Sequence, residues 1–304
     1  MTWQKLIVAE GKAIADADGS VTIDMPRSNR IGEIAFTLRG TGGSGTPAAE
    51  ALITKIELIG NGNSSIVACN NSQIRDITQM RMNGMRSEVV NATSAATRVT
   101  TNVFMGRFKH DPVCILPSYL FSTLQLKLTF GTLIATTAFA TGTVVLDVFV
   151  DEFVKDGSEP ADSQCIIQKY TEVEAFTAAT SGDRQVKLQR GHSIAAIYVA
   201  AAGTDGTSIS KFKVSLNNGA VTPLAETWLK SQNDDVLEYG LASGTKIANA
   251  TMVDFDNPAT EQIFAEVINT DVNSGVLEAD LILSQGAAVA CSVVQITYVS
   301  VASL

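Results

Sequence analysis

Chemistry in proteins rests on a few residue types, and this chain uses them sparingly. It holds two histidines, His110 and His192, and four cysteines, Cys69, Cys114, Cys165 and Cys291, in 304 residues. His110 stands in Phe108-Lys-His-Asp-Pro112 and His192 follows Gly191. Neither sits in a pattern that would make it a general base, so both read as ordinary exposed or capping histidines. No Gly-x-Ser-x-Gly elbow supplies an activated serine. The cysteines are far apart, lack zinc-ligand spacing and neighbour small or apolar residues, and so read as buried reduced thiols.

Four further motifs fit ligand chemistry only in part. Gly40-Thr-Gly42-Gly-Ser-Gly45 satisfies the letter of a dinucleotide fingerprint, but that motif needs a long helix starting on the phosphates. Here the next strand is expected by Ile53, which leaves a loop. Gly244-Thr-Lys246 lacks the glycine spacing and Lys-Ser/Thr order of a phosphate loop. Asp16-Ala-Asp18-Gly19 has the start of a calcium loop without the third ligand or the distal glutamate, and reads as a turn. Asn233-Asp-Asp235 offers oxygen ligands and reads as a solvated loop. Carboxylates are plentiful enough for a glycan hydrolase, yet no pair stands out. Trp3 and Trp228 are thin material for a sugar platform, and Trp228, four residues after Leu224, is expected in the core. No catalytic, cofactor-binding or metal-ligating residue is assigned.

Composition points the same way. Apolar residues make up 45% of the chain and charged residues 17%, so there is ample surface to bury and the chain is not intrinsically disordered. The net charge of −9 argues against direct binding of nucleic acid, which needs clustered Lys and Arg. The same charge suits divalent ions bridging subunits. The most apolar stretches, Val144–Val150 and Ile194–Ala202, are too short to span about 30 Å of hydrocarbon. Met1-Thr-Trp-Gln-Lys-Leu-Ile-Val-Ala-Glu10 does not read as a secretory signal, so synthesis and folding in a reducing cytoplasm are the expectation.

The hydrophobic period is two rather than 3.6. Ile34-Ala-Phe36-Thr-Leu38, Ile56-Glu-Leu58 and Leu124-Gln-Leu126-Lys-Leu128-Thr-Phe130 alternate, and Val144–Val150 reads as a more fully buried strand. Turn-rich stretches separate them: Gly40–Gly45, Gly60-Asn-Gly-Asn63, Asn217-Asn-Gly219 and Asn273-Ser-Gly275. The order of elements also repeats. Ile31–Phe36, a Gly-rich loop and Ile53–Leu58 match Ile194–Val199, Gly203–Gly206 and Ile209–Val214. A helix over Ser72–Met80, capped by Asn71 or Ser72, matches one over Thr222–Leu229, with Thr222 as N-cap and Pro223 at the first helical position. Phe108–Pro112 matches Phe255-Asp-Asn257-Pro258. Short helices at Pro117–Phe121 and Glu261–Ala265 follow, then strands Leu124–Phe130 and Leu277–Leu283, then Val144–Val150 and Val293–Val299. The matched positions lie roughly 150–160 residues apart, the mark of a tandem duplication.

The expected fold is therefore all-β: two tandem eight-stranded jelly-roll sandwiches with short helices in the loops. The first spans 1–154, with an N-terminal arm over about 1–28. The polar stretch 155–163 is the linker, and the second spans 164–304.

These residues carry a family resemblance. Ile53-Thr-Lys-Ile-Glu-Leu-Ile-Gly-Asn-Gly62 followed by Gln73-Ile-Arg-Asp-Ile77 resembles the first jelly roll of the double jelly-roll major capsid proteins of membrane-containing icosahedral bacteriophages, the corticovirus, tectivirus and finnlakevirus lineage. Gly191–Gly203, Thr227-Trp-Leu-Lys230 and Asn233–Gly240 are similar to the second roll of the corticovirus type. The pattern covers about residues 30 to 300. The resemblance implies a structural protein rather than an enzyme: a homotrimer forming a pseudo-hexagonal capsomer, in contact with neighbouring capsomers, minor capsid and penton proteins and an internal lipid membrane, and located in the virion. The short loops argue against tall decorating towers. Two other readings compete, a two-domain β-sandwich adhesin or spike binding carbohydrate or cell surface, and a jelly-roll glycan hydrolase.

Overall fold

The computed structural model describes residues 2–15, 19–44, 49–82, 87–131, 138–154, 157, 161–177, 182–203, 206–241, 247–256 and 267–301. The chain divides into two compact units. Unit 1 comprises Met1–Gln79, Arg86–Lys169 and Ser300–Leu304; unit 2 comprises Met80–Met85 and Tyr170–Val299.

Unit 1 is built from β1 (Thr2–Ala13), β2 (Gly19–Asp24), β3 (Arg30–Thr41), β4 (Ile53–Gly60), β5 (Ser64–Cys69), α1 (Asn71–Arg81, in this unit to Gln79, with Arg81 in unit 2), β6 (Val89–Val90), β7 (Ala96–Phe104), β8 (Leu116–Pro117), β9 (Leu124–Phe130) and β10 (Val145–Val154). One sheet runs β1-β10-β3-β7-β6, with β8 paired to β3, and the other β2-β9-β4-β5. Alternation decides which face is buried: Ile34, Phe36 and Leu38 on β3, Leu146, Val148 and Val150 on β10, and Leu124, Leu126, Leu128 and Phe130 on β9 are all buried.

Unit 2 uses β11 (Ile166–Thr177, in this unit from Tyr170), β12 (Gly182–Lys187), β13 (Ser193–Ala201), β14 (Ile209–Leu216), β15 (Val221–Thr227), α2 (Trp228–Glu238), β16 (Ala250–Asp254), β17 (Ile268–Asn269), β18 (Ala279–Gln285) and β19 (Ala290–Ser300). Its sheets run β11-β19-β13-β16, with β17 on β13, and β12-β18-β14-β15. Their inner faces share one core, in which Val186, Ile194, Phe212, Leu283 and Val293 meet Trp228.

Among the described residues, leaving out the two-residue strands, each unit has eight. Numbered within its unit, each set pairs as 1-8-3-6 in one sheet and 2-7-4-5 in the other. That is the jelly-roll order, produced twice by one chain. The helix follows the fifth strand in both units.

The structure departs from the sequence reading in several places. Residues 1–28, set apart as an arm, supply β1 and β2; β1 pairs with β10 from Thr2↔Val154 to Ala13↔Val145. Of the helix expected over Thr222–Leu229, only Trp228 and Leu229 are helical. Leu224 and Glu226 pair with Val214 and Phe212, so the rest is strand β15, and the helix begins at Trp228. Thr227 is the N-cap, its side chain accepting from the Lys230 N–H at 3.3 Å. Asn233-Asp-Asp235 lies inside α2, not in a loop. In unit 1 the cap is Asn70, not Asn71 or Ser72. Its Oδ1 accepts the Gln73 N–H at 2.9 Å while Gln73 Oε1 accepts the Asn70 N–H at 2.8 Å, a reciprocal capping box. Pro117–Phe121 closes to a single 3-10 turn over Ser118–Leu120. Gly40 is still in β3, and a Cβ on Gly42 would lie 1.7 Å from the Ala92 carbonyl oxygen, so this glycine serves close backbone approach. Asp16–Asp18, Gly244–Lys246, Asn257-Pro258 and Glu261–Ala265 lie outside the described residues, as does most of 155–163.

Candidate functional site

Among the described residues, those with chemical potential gather in two groups in unit 1 and one in unit 2. In unit 1 the loop after β7 folds over the outer face of β3 and β10. Asp111, buried, takes Arg107 Nε at 2.6 Å and Nη2 at 3.1 Å, and also accepts the backbone N–H groups of Val113 and Cys114. This fixes the loop and places the positive-φ residue His110 over Trp3, with ring centroids 4.2 Å apart. Lys109 Nζ bridges Glu33 at 3.1 Å and Asp151 at 3.3 Å, both on the sheet. His110 Nε2 lies 4.0 Å from Asp151 Oδ2, beyond hydrogen-bond length. This geometry neutralises carboxylates and anchors a loop.

A second buried group in unit 1 joins Arg30 Nη2 to Asp162 at 2.7 Å and to Tyr119 through Nε at 3.2 Å. Burial, then the Asp162 carboxylate, pushes the Tyr119 hydroxyl up to about 12. His192 is held by its backbone, its carbonyl accepting from Thr270 Oγ1. All four cysteines are buried and unbridged.

The cluster in unit 2 lies between α2 and β16. Asp235, buried, accepts from Thr251 Oγ1 at 2.8 Å and from the Met252 N–H at 3.3 Å, and Thr251 in turn meets Ser231 Oγ at 2.6 Å. A cavity of ≈ 240 Å³ beside it is lined by Glu226, Asp234, Glu238 and Asp254, with Lys230 among them. Lys230 Nζ is shared by Glu226 at 3.0 Å and Asp234. The Asp254 side chain, wholly buried, pairs with Arg81 at 3.2 Å and accepts from the Tyr239 hydroxyl at 3.2 Å. Burial pushes Asp235 up to about 8 against the hydrogen bonds from Thr251 and Met252. Burial and the neighbouring Asp254, Asp234 and Glu226 push the more open Glu238 to about 7. Sequence reasoning missed this cluster because it placed Asp235 in solvent. The available signal was helical spacing: Trp228, Ser231, Gln232 and Asp235 share one buried face. Among the described residues, no group of three His, Cys, Asp or Glu is arranged to hold a metal ion.

The remaining candidates are surfaces. Exposed large apolar residues stand on β1 (Ile7), on α2 (Leu229 and Leu237, 72% exposed) and around the β14–β15 turn (Val221, Val272 at 93%, Leu277 at 73%). The last group is held in place by Asn217, which accepts the Leu277 N–H at 2.6 Å and donates to the Gly275 carbonyl at 3.0 Å. Exposed apolar groups set on a rigid framework are what a contact with another molecule requires. Several strands at sheet ends are guarded against unspecific pairing. β1 carries two register shifts and Lys5 and Lys12, β15 contains Pro223, and β2, β12 and β16 are short. Such edges oppose fibre formation and leave association to side chains.

No protein-family profile matches the sequence, and no curated protein matches it. Solved structures do. The STIV MCP, from Sulfolobus turreted icosahedral virus, superposes with a TM-score of 0.74 at 15% identity, over 99% of this chain and 98% of its own. The major capsid protein P2 of bacteriophage PM2 gives 0.67 at 13% identity over 100% of both chains. PBCV-1 VP54 gives 0.67 at 15% identity, over 98% of this chain and 93% of its own. At such identities the likeness concerns architecture, and it extends from end to end: the chain has the double jelly-roll fold of these viral capsid proteins.

Proposed function

We propose that this protein is a major capsid protein, a structural component of an icosahedral virion with no enzymatic role. One observation carries the reading: a single chain builds the 1-8-3-6 and 2-7-4-5 strand order twice and matches capsid proteins of that build over nearly its whole length. The two rolls are residues 1–154 and 164–304, joined through 155–163. Three chains associate into a homotrimer whose six rolls make a pseudo-hexagonal capsomer, and capsomers tile the shell together with minor capsid and penton proteins. The block's base faces an internal lipid membrane, and the protein is made in the host cytoplasm before assembly.

The physical mechanism is burial. The exposed Ile7, Leu229, Leu237, Val221, Val272 and Leu277 supply apolar contact area, and obligate assemblies bury well over roughly 1,600 Å² per interface. Guarded edges direct that burial into closed symmetric contacts instead of open filaments. Mass measurement of the purified chain by sedimentation or light scattering at micromolar concentration tests this. The proposal expects a species of three times the 32.1 kDa chain mass. A monomer that persists at every accessible concentration would overturn it.

A further inference from the structure

We propose that the joint between α2 and β16 in unit 2 is a pH-sensitive latch, closed while the carboxyl groups under the helix carry protons and loosened as those protons leave. The two rolls solve the same mechanical problem with different chemistry. In unit 1, α1 reaches β7 through an amide and through donors: Asn71 Oδ1 accepts from Thr101 Oγ1 at 2.7 Å. Arg75 Nη1 gives a hydrogen bond to the Thr100 carbonyl at 2.5 Å, and Thr78 Oγ1 one to the Asn102 carbonyl at 3.0 Å. In unit 2, α2 reaches β16 with an acceptor, the carboxyl of Asp235 on Thr251 and Met252. A donor-to-carbonyl joint is indifferent to pH near neutrality; a buried carboxyl is not.

The surroundings of Asp235 make its charge costly. On α2 itself lie Asp234, Glu238 and Lys230; β15 contributes Glu226 and β16 contributes Asp254, with Asp256 just beyond it. Lys230 is already shared by Glu226 and Asp234, and Arg81 is paired with Asp254. Tyr239, near Asp254, is buried and held neutral by burial and that carboxylate. On β14, Lys211 and Lys213 alternate with the core residues Phe212 and Val214 and so face the other side of their sheet. Among the described residues no cation pairs with Asp235. Asp235 is only 3% exposed, so water screens its charge poorly. With Asp235 raised to about 8 and Glu238 to about 7, the closed joint binds more protons than the open one, in which both groups regain ordinary values near 4. Rising pH therefore favours opening. The slope reaches about tenfold in the opening equilibrium per pH unit for one group between its open-state and closed-state values.

Amide hydrogen exchange of the full chain between pH 5 and 8, corrected for intrinsic rates, reads this directly. Met252 and the α2 amides should open up to about tenfold more per pH unit, while Thr101 and the α1 amides of unit 1 stay flat. In Asp235→Asn the slope at Met252 should fall to that left by Glu238, and Glu238→Gln should lower it by a smaller amount. An unchanged slope in Asp235→Asn, or a flat profile at Met252 in the unmodified protein, overturns the latch. Should Asp235→Asn not fold, the carboxyl carbon of Asp235 can be titrated by NMR in the unmodified chain. A midpoint above about 6 upholds the latch, and an ordinary carboxylate midpoint near 4 overturns it.

Discussion

The Arg81–Asp254 pair lends itself to a quantitative test. Both side chains are buried, at 1% and 0% exposure, and lie 3.2 Å apart. Replacing Arg81 by Met keeps the bulk of the side chain and removes the cation. Asp254 keeps its hydrogen bonds from Tyr239 and from the Asp256 N–H at 3.1 Å, so these cancel between the two proteins. What remains is the cost of a carboxylate buried without its counter-charge, typically about 3–5 kcal/mol. That cost has a ceiling, because the stranded carboxyl can take up a proton. Burial already raises Asp254 against the pull of Arg81, and loss of Arg81 raises it further. A group whose folded value is raised favours the fold at low pH and loses that contribution as pH rises. The loss in Arg81→Met should therefore be about 3 kcal/mol or more at pH 8 and clearly smaller at pH 5. Urea unfolding followed by Trp228 emission in a Trp3→Phe background measures it, since these are the two tryptophans in the chain. A double variant, Arg81→Met with Asp254→Leu, should recover most of the loss by removing the stranded charge. A loss below about 1 kcal/mol, or the same loss at both pH values, would refute the reasoning.

Further perturbations separate the other supports. Trp228→Ala empties a fully buried site in the core of unit 2 and should cost about 3–5 kcal/mol in the same urea assay. Asn70→Ala breaks the capping box of α1 and should cost about 1 kcal/mol, seen as a lowered thermal midpoint. Asp147 is held below the usual carboxylate range by the hydrogen bond from Arg39, at 2.5 Å, with the Gly11 N–H adding to it against burial. Its contribution is present at neutral pH and lost as pH falls through that lowered value. Asp147→Asn should therefore cost about 1 kcal/mol at pH 7 and approach the unmodified protein in strong acid.

Much of the architecture is legible in the residues themselves. Strands whose inner face is packed and outer face wet, such as Leu124–Phe130, print a clean period of two, and the repeated order of elements exposes the duplication. The misreadings share a physical origin. β1 is bulged and half-exposed, so its apolar residues fall out of period and it looks like an arm. Thr222-Pro223 has the chemistry of a helix start, but the ladder with β14 and the better cap at Thr227 outweigh that local preference. Asp235 carries the misleading signal of a polar run. Its burial is decided by the helical face shared with Trp228 and Ser231, which is visible only once the helix start is moved from Pro223 to Trp228. Pairings such as Arg81 with Asp254, far apart in sequence, leave no local trace.

The most direct test of the capsid reading is an electron-microscopy image of the purified, assembled protein at a resolution that separates individual sandwiches. Three chains per particle, with six sandwich densities in a hexagonal outline, are what two rolls per chain and closed symmetric contacts predict. Single two-lobed chains, or open filaments growing through strand edges, would contradict it.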